Sequence, residues 1–253
     1  MPDKALIMSL ILLIFFVTQG CETDQPEVLV FAGASLNDVL EQQGNRFTEQ
    51  TGVRVAFHFG GSTELARQIM RGAPADVYIP AGSTPMDLIE QAGLLTRGTR
   101  VDLLKNELVL VKRSSGQGED SSIEAVFLGQ GRISIADPDL APAGYYARES
   151  LQHMGVWDDL VGRLILASNV RTTLSYVKAD NVDVGIVYLT DAIAATGVDI
   201  IDSLPQESYP PIIYPGAVIT QSALAIQAEQ FLQFLQGNEA LEIFHRHGFK
   251  TAY

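Results

Sequence analysis

The sequence predicts an α/β protein of two lobes, each built on a mostly parallel, doubly wound sheet. The chain has 253 residues, of which 47% are hydrophobic and 19% are charged, as in a folded globular protein. That length is enough for two lobes of about 100 residues each. Apolar, strand-like runs alternate with helix-spaced segments, and the alternation occurs twice. Because parallel strands need helical crossovers, this pattern indicates two doubly wound sheets.

The first half begins with a strand and a helix. Residues 27–32 form a dense apolar run that ends at Gly33. Apolar residues at helical spacing then continue to Gly52, and Ser35 is the predicted N-cap of that helix. Residues 53–59 alternate as a second strand. The later predicted elements are a turn at 60–62, a helix from 65 to about 72, a strand at 76–80 and a helix from about 85 to 92.

The second half repeats the alternation with a different sequence. Its predicted strands are residues 107–112, 132–136, 183–188 and 216–220, and predicted helices begin near Gly144, Thr190, Gln221 and Glu239. We assign residues 26–103 together with 214–253 to the first lobe, and residues 104–213 to the second. Ligands are expected in the cleft between the lobes, where strand ends meet helix starts.

The N-terminus has the pattern of an export signal. A strongly apolar segment at residues 5–17 follows Lys4 and is too short to span a bilayer comfortably. Gly20 before Cys21 resembles a bacterial lipoprotein cleavage site, where the cysteine becomes the acylated first residue. We therefore predict a signal peptide at 1–20, a lipid-anchor cysteine with a linker at 21–26, and a location in the periplasm or on the outer face of the membrane. An ordinary cleaved signal is the alternative.

Composition excludes several classes of function. The net charge of −13 argues against nucleic acid as a partner and requires any anion site to work through short-range contacts. Cys21 is the only cysteine, so the chain forms no internal disulfide and no metal site of several thiolates. The sequence lacks a Gly-x-Ser-x-Gly elbow, a P-loop and a dinucleotide fingerprint, and we predict no enzyme activity and no catalytic residues.

Four junctions before predicted helices share small or hydroxyl residues. They are Gly33-Ala34-Ser35, Gly60-Gly61-Ser62, Pro142-Ala143-Gly144 and Asn169-Val170-Arg171. A helix start presents unpaired N–H groups and the positive end of the helix dipole, which suits an anion. Small residues let the backbone approach a ligand, and serine adds a hydroxyl donor. For Arg171 the alternative is a solvated or salt-bridged side chain.

Together with three further motifs, these junctions resemble the periplasmic molybdate-binding proteins of ABC importers. The further motifs are Leu65-Ala66-Arg67-Gln68-Ile69, Gly72-Ala73-Pro74-Ala75-Asp76-Val77 and Gly185-Ile186-Val187-Tyr188, and the first junction extends over Phe31-Ala32-Gly33-Ala34-Ser35-Leu36. The resemblance covers about residues 28–249. It implies the type II periplasmic-binding-protein fold with a ligand cleft between the lobes. Two departures are Gly33, where the family often has alanine, and Gly60-Gly61, where alanine and serine are common.

The resemblance also implies the ligand contacts and the partners. It assigns Ser35 and Ser62 through hydroxyl and backbone N–H, Ala143 and Val170 through backbone N–H, and Tyr188 through its phenol. The expected ligand is molybdate or tungstate. The expected partners are an ABC permease and its ATPase, and we expect a monomer without a cofactor.

Donor chemistry narrows the choice of ligand. A shell of donors satisfies an unprotonated oxyanion, whereas monohydrogen phosphate also needs an acceptor, and the matched positions include no carboxylate. Sulfate has the same donor requirement as molybdate and stays an alternative, with cavity size as the expected basis of discrimination. Ferric iron is a second alternative because of the adjacent Tyr145-Tyr146.

Overall fold

The computed structural model describes residues 26–114 and 122–252, which form two α/β lobes as predicted. The strands are β1 (Glu27–Gly33), β2 (Arg54–Gly60), β3 (Val77–Ile79), β4 (Val101–Asn106), β5 (Leu108–Arg113), β6 (Ile133–Ala136), β7 (Leu164–Ala167), β8 (Val184–Tyr188), β9 (Val198–Ser203), β10 (Ile212–Val218) and β11 (Lys250–Thr251). The predicted signal peptide and Cys21 lie outside the described residues.

Helices cover both sheets. They are α1 (Asn37–Thr51), α2 (Ser62–Met70), α3 (Ser83–Gln91), α4 (Ile123–Leu128), α5 (Pro142–His153), α6 (Trp157–Leu160), α7 (Val170–Lys178), α8 (Leu189–Ala194), α9 (Ala225–Leu235) and α10 (Asn238–Arg246). Short 3-10 turns lie at Ala34–Leu36, Val161–Arg163 and Gln206–Ser208. In the described ranges, none of the helices combines the length and apolar character needed to cross a bilayer.

Each lobe has its own sheet. The first has the strand order β11-β4-β10-β3-β1-β2, and the second has the order β7-β6-β8-β5-β9. The chain leaves the first sheet after Asn106 and returns to it at Ile212, and these two residues face each other where β4 pairs with β10. The lobe boundaries predicted at 103/104 and 213/214 therefore fall inside these two strands, and the exact limits stay a prediction.

The strand directions correct one detail of the prediction, because the sheets are mixed instead of mostly parallel. β1 pairs in parallel with β2 and β3, and β6 pairs in parallel with β7 and β8. By contrast, β10 is antiparallel to β3 and β4, and β5 is antiparallel to β8 and β9. The strands β4 and β10, which carry the chain between the lobes, run in opposite directions. The alternation of strands and helices along the sequence does not predict strand direction.

The parallel strands bring the four junctions together in pairs. Gly33 and Gly60 are partners at the ends of β1 and β2, and Ala136 and Ala167 are partners at the ends of β6 and β7. Because parallel strands end at the same edge of a sheet, each lobe presents two neighbouring helix starts at its cleft edge. The fold therefore positions the candidate site through its strand register.

Candidate functional site

One cavity between the lobes is lined by all five residues that the resemblance assigned to the ligand, namely Ser35, Ser62, Ala143, Val170 and Tyr188. Its remaining walls are Ala34, Gly60, Gly61, Ala81, Ala141, Pro142 and Asn169. All five predicted residues are at most 3% exposed. The structure thus places these buried residues together in one crevice, with both lobes contributing.

The start of α7 leaves one backbone donor unclaimed. The Asn169 side chain accepts hydrogen bonds from the N–H groups of Arg171 at 3.0 Å and Thr172 at 3.1 Å, and its carbonyl accepts from Thr173 at 3.1 Å. The N–H of Val170 has no acceptor in the described part of the chain. Since Val170 lines the cavity, this donor is available to a ligand there.

The starts of α2 and α5 leave equivalent donors. The Leu65 N–H bonds to the Gly61 carbonyl at 3.0 Å, and the Gly144 N–H bonds to the Ala141 carbonyl at 3.0 Å. Among the described residues, no acceptor meets the N–H of Ser62 or of Ala143. Three helix N-termini at one cavity therefore carry unpaired N–H groups, an arrangement suited to an anion.

The Ser62 hydroxyl keeps its proton available to a ligand in the cavity. Its Oγ accepts the N–H of Ala81 at 2.9 Å, and its carbonyl accepts the hydroxyl of Tyr78 at 2.6 Å. A backbone N–H only donates, so the Ser62 hydroxyl proton is left for another acceptor. Burial raises the pKa of Tyr78 well above its ordinary value, which keeps that phenol protonated.

The Tyr188 phenol crosses from the second lobe to the first. Its hydroxyl donates to the carbonyl of Ala81 at 3.1 Å. Burial, followed by the nearby Tyr214 and Tyr146, raises the Tyr188 pKa well above its ordinary value, so the group is a neutral donor. Because it has a single proton, a contact with an anion requires this hydroxyl to turn away from Ala81. Its assignment as a ligand contact stays a prediction.

The prediction that Ser35 caps the following helix is wrong. A 3-10 turn at Ala34–Leu36 separates β1 from α1, and α1 begins at Asn37 without a side-chain cap. The Ser35 hydroxyl lies 3.1 Å from the hydroxyl of Tyr214 instead. The extra turn carries Ser35 off the helix end and into the cavity wall, where the hydroxyl meets β10.

Arg171 is salt-bridged, which was the alternative interpretation of this residue. Its Nη2 lies 2.8 Å from Oδ2 of Asp38 in the first lobe, and its Nε lies 2.5 Å from Oδ1 of Asp191 in the second. The Nε contact is an ion pair without the alignment of a hydrogen bond. Burial lowers the pKa of Arg171, but the two carboxylates outweigh it and raise the pKa overall. The guanidinium is therefore neutralised locally and links the lobes.

Asp191 is fully buried next to this arginine. Burial raises the pKa of its carboxyl to about 7, although the attraction of Arg171 acts in the opposite direction. Asp191 does not line the cavity, and among the described residues no charged side chain does so. The cavity wall consists of uncharged groups, and Arg171, which follows the lining residue Val170, is paired with Asp38 and Asp191.

The contacts around Gly61 explain why glycine stands at this position, where the family commonly has alanine or serine. A Cβ atom there would lie 2.6 Å from the carbonyl oxygen of Leu140 and 2.9 Å from that of Ser168, both in the opposite lobe. A nearby hydrogen bond from the Glu64 N–H to the Leu140 carbonyl, at 3.2 Å, also joins the lobes. The glycine thus permits a closer approach of the two lobes than a side chain would allow.

The residues behind the iron alternative have other contacts. Tyr146 is buried, and its ring packs 5.4 Å from that of Tyr145. Within residues 26–114 and 122–252, the His, Cys, Asp and Glu side chains form no group of three or more suited to a metal ion. The described contacts give iron binding no support.

Sequence reasoning missed Ala81 in the cavity wall and three residues that lie behind the wall. Ala81 was detectable, because it is a small residue between β3 and α3 and so repeats the junction pattern. Asn106, Asp191 and Tyr214 belong to ordinary strand and helix segments, and no local motif marks them. Their importance follows only from the contacts that the fold creates.

Several known proteins are similar in sequence to this chain over nearly its whole length. Residues 28–250 match the family model described as bacterial extracellular solute-binding protein. The molybdate-binding protein ModA of Escherichia coli (strain K12) is 37% identical over 240 residues, which are 93% of this chain and 93% of that protein. A putative ABC transporter substrate-binding lipoprotein, YvgL of Bacillus subtilis (strain 168), is 30% identical over 93% of this chain and 94% of its own.

A comparison with solved structures leads to the same group of proteins. The periplasmic molybdate-binding protein of Azotobacter vinelandii superposes with a TM-score of 0.80 at 28% identity, over 88% of this chain and 98% of that one. This superposition supports the overall fold described above. The chain belongs to the bacterial extracellular solute-binding protein family, together with the molybdate-binding proteins of ABC importers.

Proposed function

We propose that this protein captures molybdate or tungstate in the interlobe cavity and delivers it to an ABC permease, whose ATPase drives transport. The observation that carries the proposal is the convergence of unclaimed N–H groups from Ser62, Ala143 and Val170 on a cavity without charged lining residues. Preorganised neutral donors replace the water shell of a doubly charged anion through charge-assisted hydrogen bonds. The relatives named for molybdate binding support the same choice.

The lining also favours an anion without a proton. Monohydrogen phosphate would bring its own O–H donor, and a buried donor without an acceptor is unfavourable by about 1–3 kcal/mol. In the described structure no carboxylate lines the cavity to accept that proton. Sulfate meets the same donors as molybdate, so the discrimination between them rests on the size of the cavity. Phosphate is the better test of donor chemistry, and sulfate is the better test of size.

We further propose that Cys21 is acylated and tethers the chain to the outer face of the membrane as a monomer. Acylation would remove the single unpaired thiol of an exported protein, and a relative from Bacillus subtilis is named a lipoprotein. Mass spectrometry of the mature N-terminus decides between a lipidated cysteine and an ordinary cleaved signal.

A thermal-shift screen with calorimetry tests the ligand. We expect molybdate and tungstate to raise the melting temperature, because a ligand at 100 times its Kd adds about 2.7 kcal/mol to the folded state. We expect monohydrogen phosphate and Fe³⁺ to leave the melting temperature unchanged. Stabilisation by Fe³⁺ or phosphate, without any by molybdate, would overturn the proposal.

Val170→Pro removes one proposed donor while keeping its helix. Val170 is the first residue of α7, where proline is tolerated, and the preceding Asn169 is extended at φ −164° and ψ 174°, away from the α region that a following proline disfavours. We expect titration calorimetry to show molybdate affinity reduced by roughly 10-fold to 100-fold, the worth of one hydrogen bond to a charged group. Val170→Ala keeps the N–H and is the matched control. Equal affinities in the two variants would show that this N–H does not contact the ligand.

A further inference from the structure

A buried hydrogen-bonded chain leads from the strands between the lobes to Ser35. Nδ2 of Asn106, at the end of β4, lies 2.9 Å from the hydroxyl of Tyr214 on β10. The Tyr214 hydroxyl lies 3.1 Å from Oγ of Ser35, which lines the cavity. Tyr214 is fully buried, and Asn106 and Ser35 are 8% and 3% exposed, so water does not compete freely for these bonds.

The orientation of the Asn106 amide fixes the donor in the first hydrogen bond, the one between Asn106 and Tyr214. The other side-chain atom, Oδ1, accepts the backbone N–H of Glu107 at 2.9 Å. Since a backbone N–H only donates, that atom must be the amide oxygen, and the NH₂ group must face the opposite side. One of its hydrogens reaches Oγ1 of Thr190 at 2.9 Å and the other reaches Tyr214.

The Asn106 contact also fixes the direction of the second hydrogen bond, between Tyr214 and Ser35. Its oxygen accepts from Asn106, so its single proton must go to a different acceptor, and Ser35 Oγ is its other hydrogen-bond partner. The rings of Tyr188 and Phe249 pack at 5.9 Å and 5.5 Å from the Tyr214 ring, and burial raises the pKa of Tyr214. Ser35 Oγ therefore receives the Tyr214 proton, and the Ser35 proton is left available to an acceptor in the cavity.

We propose that Asn106 and Tyr214 are positioning residues that hold the Ser35 hydroxyl as a donor and so make the site select unprotonated oxyanions. The inference rests on the proposed function, because it concerns the same cavity. Ser62 Oγ accepts the backbone N–H of Ala81, and no side-chain substitution reverses the direction of that bond. Ser35 is held by side chains alone, so its direction is open to reversal by mutation.

Asn106→Asp is the substitution that reverses the donor–acceptor direction of these two hydrogen bonds. A carboxylate of the same shape still accepts the Glu107 N–H, but its second oxygen accepts the Tyr214 proton. Tyr214 then accepts from Ser35, and Ser35 presents a lone pair to the cavity. The added negative charge weakens the binding of every dianion, so the informative quantity is an affinity ratio between two dianions of equal charge.

The experiment compares molybdate with monohydrogen phosphate at pH 8 by competition calorimetry. We expect Asn106→Asp to raise the phosphate-to-molybdate affinity ratio about tenfold or more, the effect of matching one hydrogen-bonding group to a charged ligand. Tyr214→Phe frees the Ser35 hydroxyl to rotate and should raise the ratio by less. Tyr209→Phe is the control, because its hydroxyl accepts the Leu108 N–H and does not contact Ser35.

A double-mutant cycle separates this role from a general structural effect. In a Ser35→Ala background, Asn106→Asp should leave the ratio unchanged, because the hydroxyl on which it acts is absent. If wild type binds molybdate but the ratio is the same in all variants, or if phosphate binding stays undetectable throughout, the inference is wrong and the proposed function stands. A shift of equal size without Ser35 would also overturn the inference. If wild type binds no oxyanion at all, the proposed function itself fails.

Discussion

Replacing Gly144 with alanine is expected to lower the free energy of unfolding by about 3 kcal/mol or more, as in severe overpacking of a core. An added Cβ would lie 2.0 Å from the carbonyl oxygen of Ala136 and 2.6 Å from its carbonyl carbon. These are backbone atoms at the end of β6, and they cannot rotate aside as a side chain can. Helix α5 must therefore move away from its sheet, and urea denaturation measures the loss.

The same substitution should also weaken ligand binding, because Ala143 precedes Gly144 and its N–H would leave the cavity with the helix. Gly162→Ala is the matched control, since a Cβ at Gly162 has no atom within 4 Å. We expect its urea midpoint to equal that of wild type. A Gly144→Ala protein with an unchanged midpoint would show that α5 does not need to pack this closely on β6.

The elements that sequence predicted well are those with strong local signals. β1 and α1 are examples, because a dense apolar run precedes apolar residues at helical spacing. Gly52 ends α1 as predicted, with a left-handed φ of 75° and its N–H bonded to the Thr48 carbonyl at 2.9 Å. Such signals depend on neighbours in the chain, and the sequence contains them completely.

The elements that sequence missed have weak local patterns or depend on distant partners. β7 and β9 are edge strands of the second sheet, and most of their residues are at least partly exposed, so no clean alternation marks them. β4 was also missed, although its pairing with β10 places it inside the first sheet. The mixed direction of both sheets follows from these pairings across the chain.

In the candidate site, too, features set by neighbouring residues could be predicted, and features set by residues distant in the sequence could not. The lining N–H groups could be predicted because a helix start always leaves donors unpaired, wherever the helix lies. The groups that orient the side chains could not, because Asn106 and Tyr214 are 108 residues apart in the chain and Ser35 and Tyr214 are 179 apart. Only the folded chain shows which of two oxygens in a hydrogen bond must be the donor.

Asp191 is expected to make the stability of the folded protein fall as the pH rises from about 4 to about 7. Burial raises its folded-state pKa to about 7, whereas an aspartate in the unfolded chain titrates near 4. The folded state therefore binds one more proton than the unfolded state across this window, and stability declines with pH there. Three pKa units correspond to about 4 kcal/mol, which is the upper limit of the effect.

Urea unfolding of wild type and Asp191→Asn from pH 4 to pH 8 measures this contribution, because asparagine keeps one charge state throughout. The stability of wild type relative to Asp191→Asn should decrease steadily across the window. Since Arg171 lowers the Asp191 pKa and lies 2.5 Å away, Arg171→Gln should raise that pKa further and extend the decline to higher pH. Parallel pH profiles for wild type and Asp191→Asn would mean that the buried carboxyl ionises at its ordinary pH, and that Arg171 fully compensates its burial.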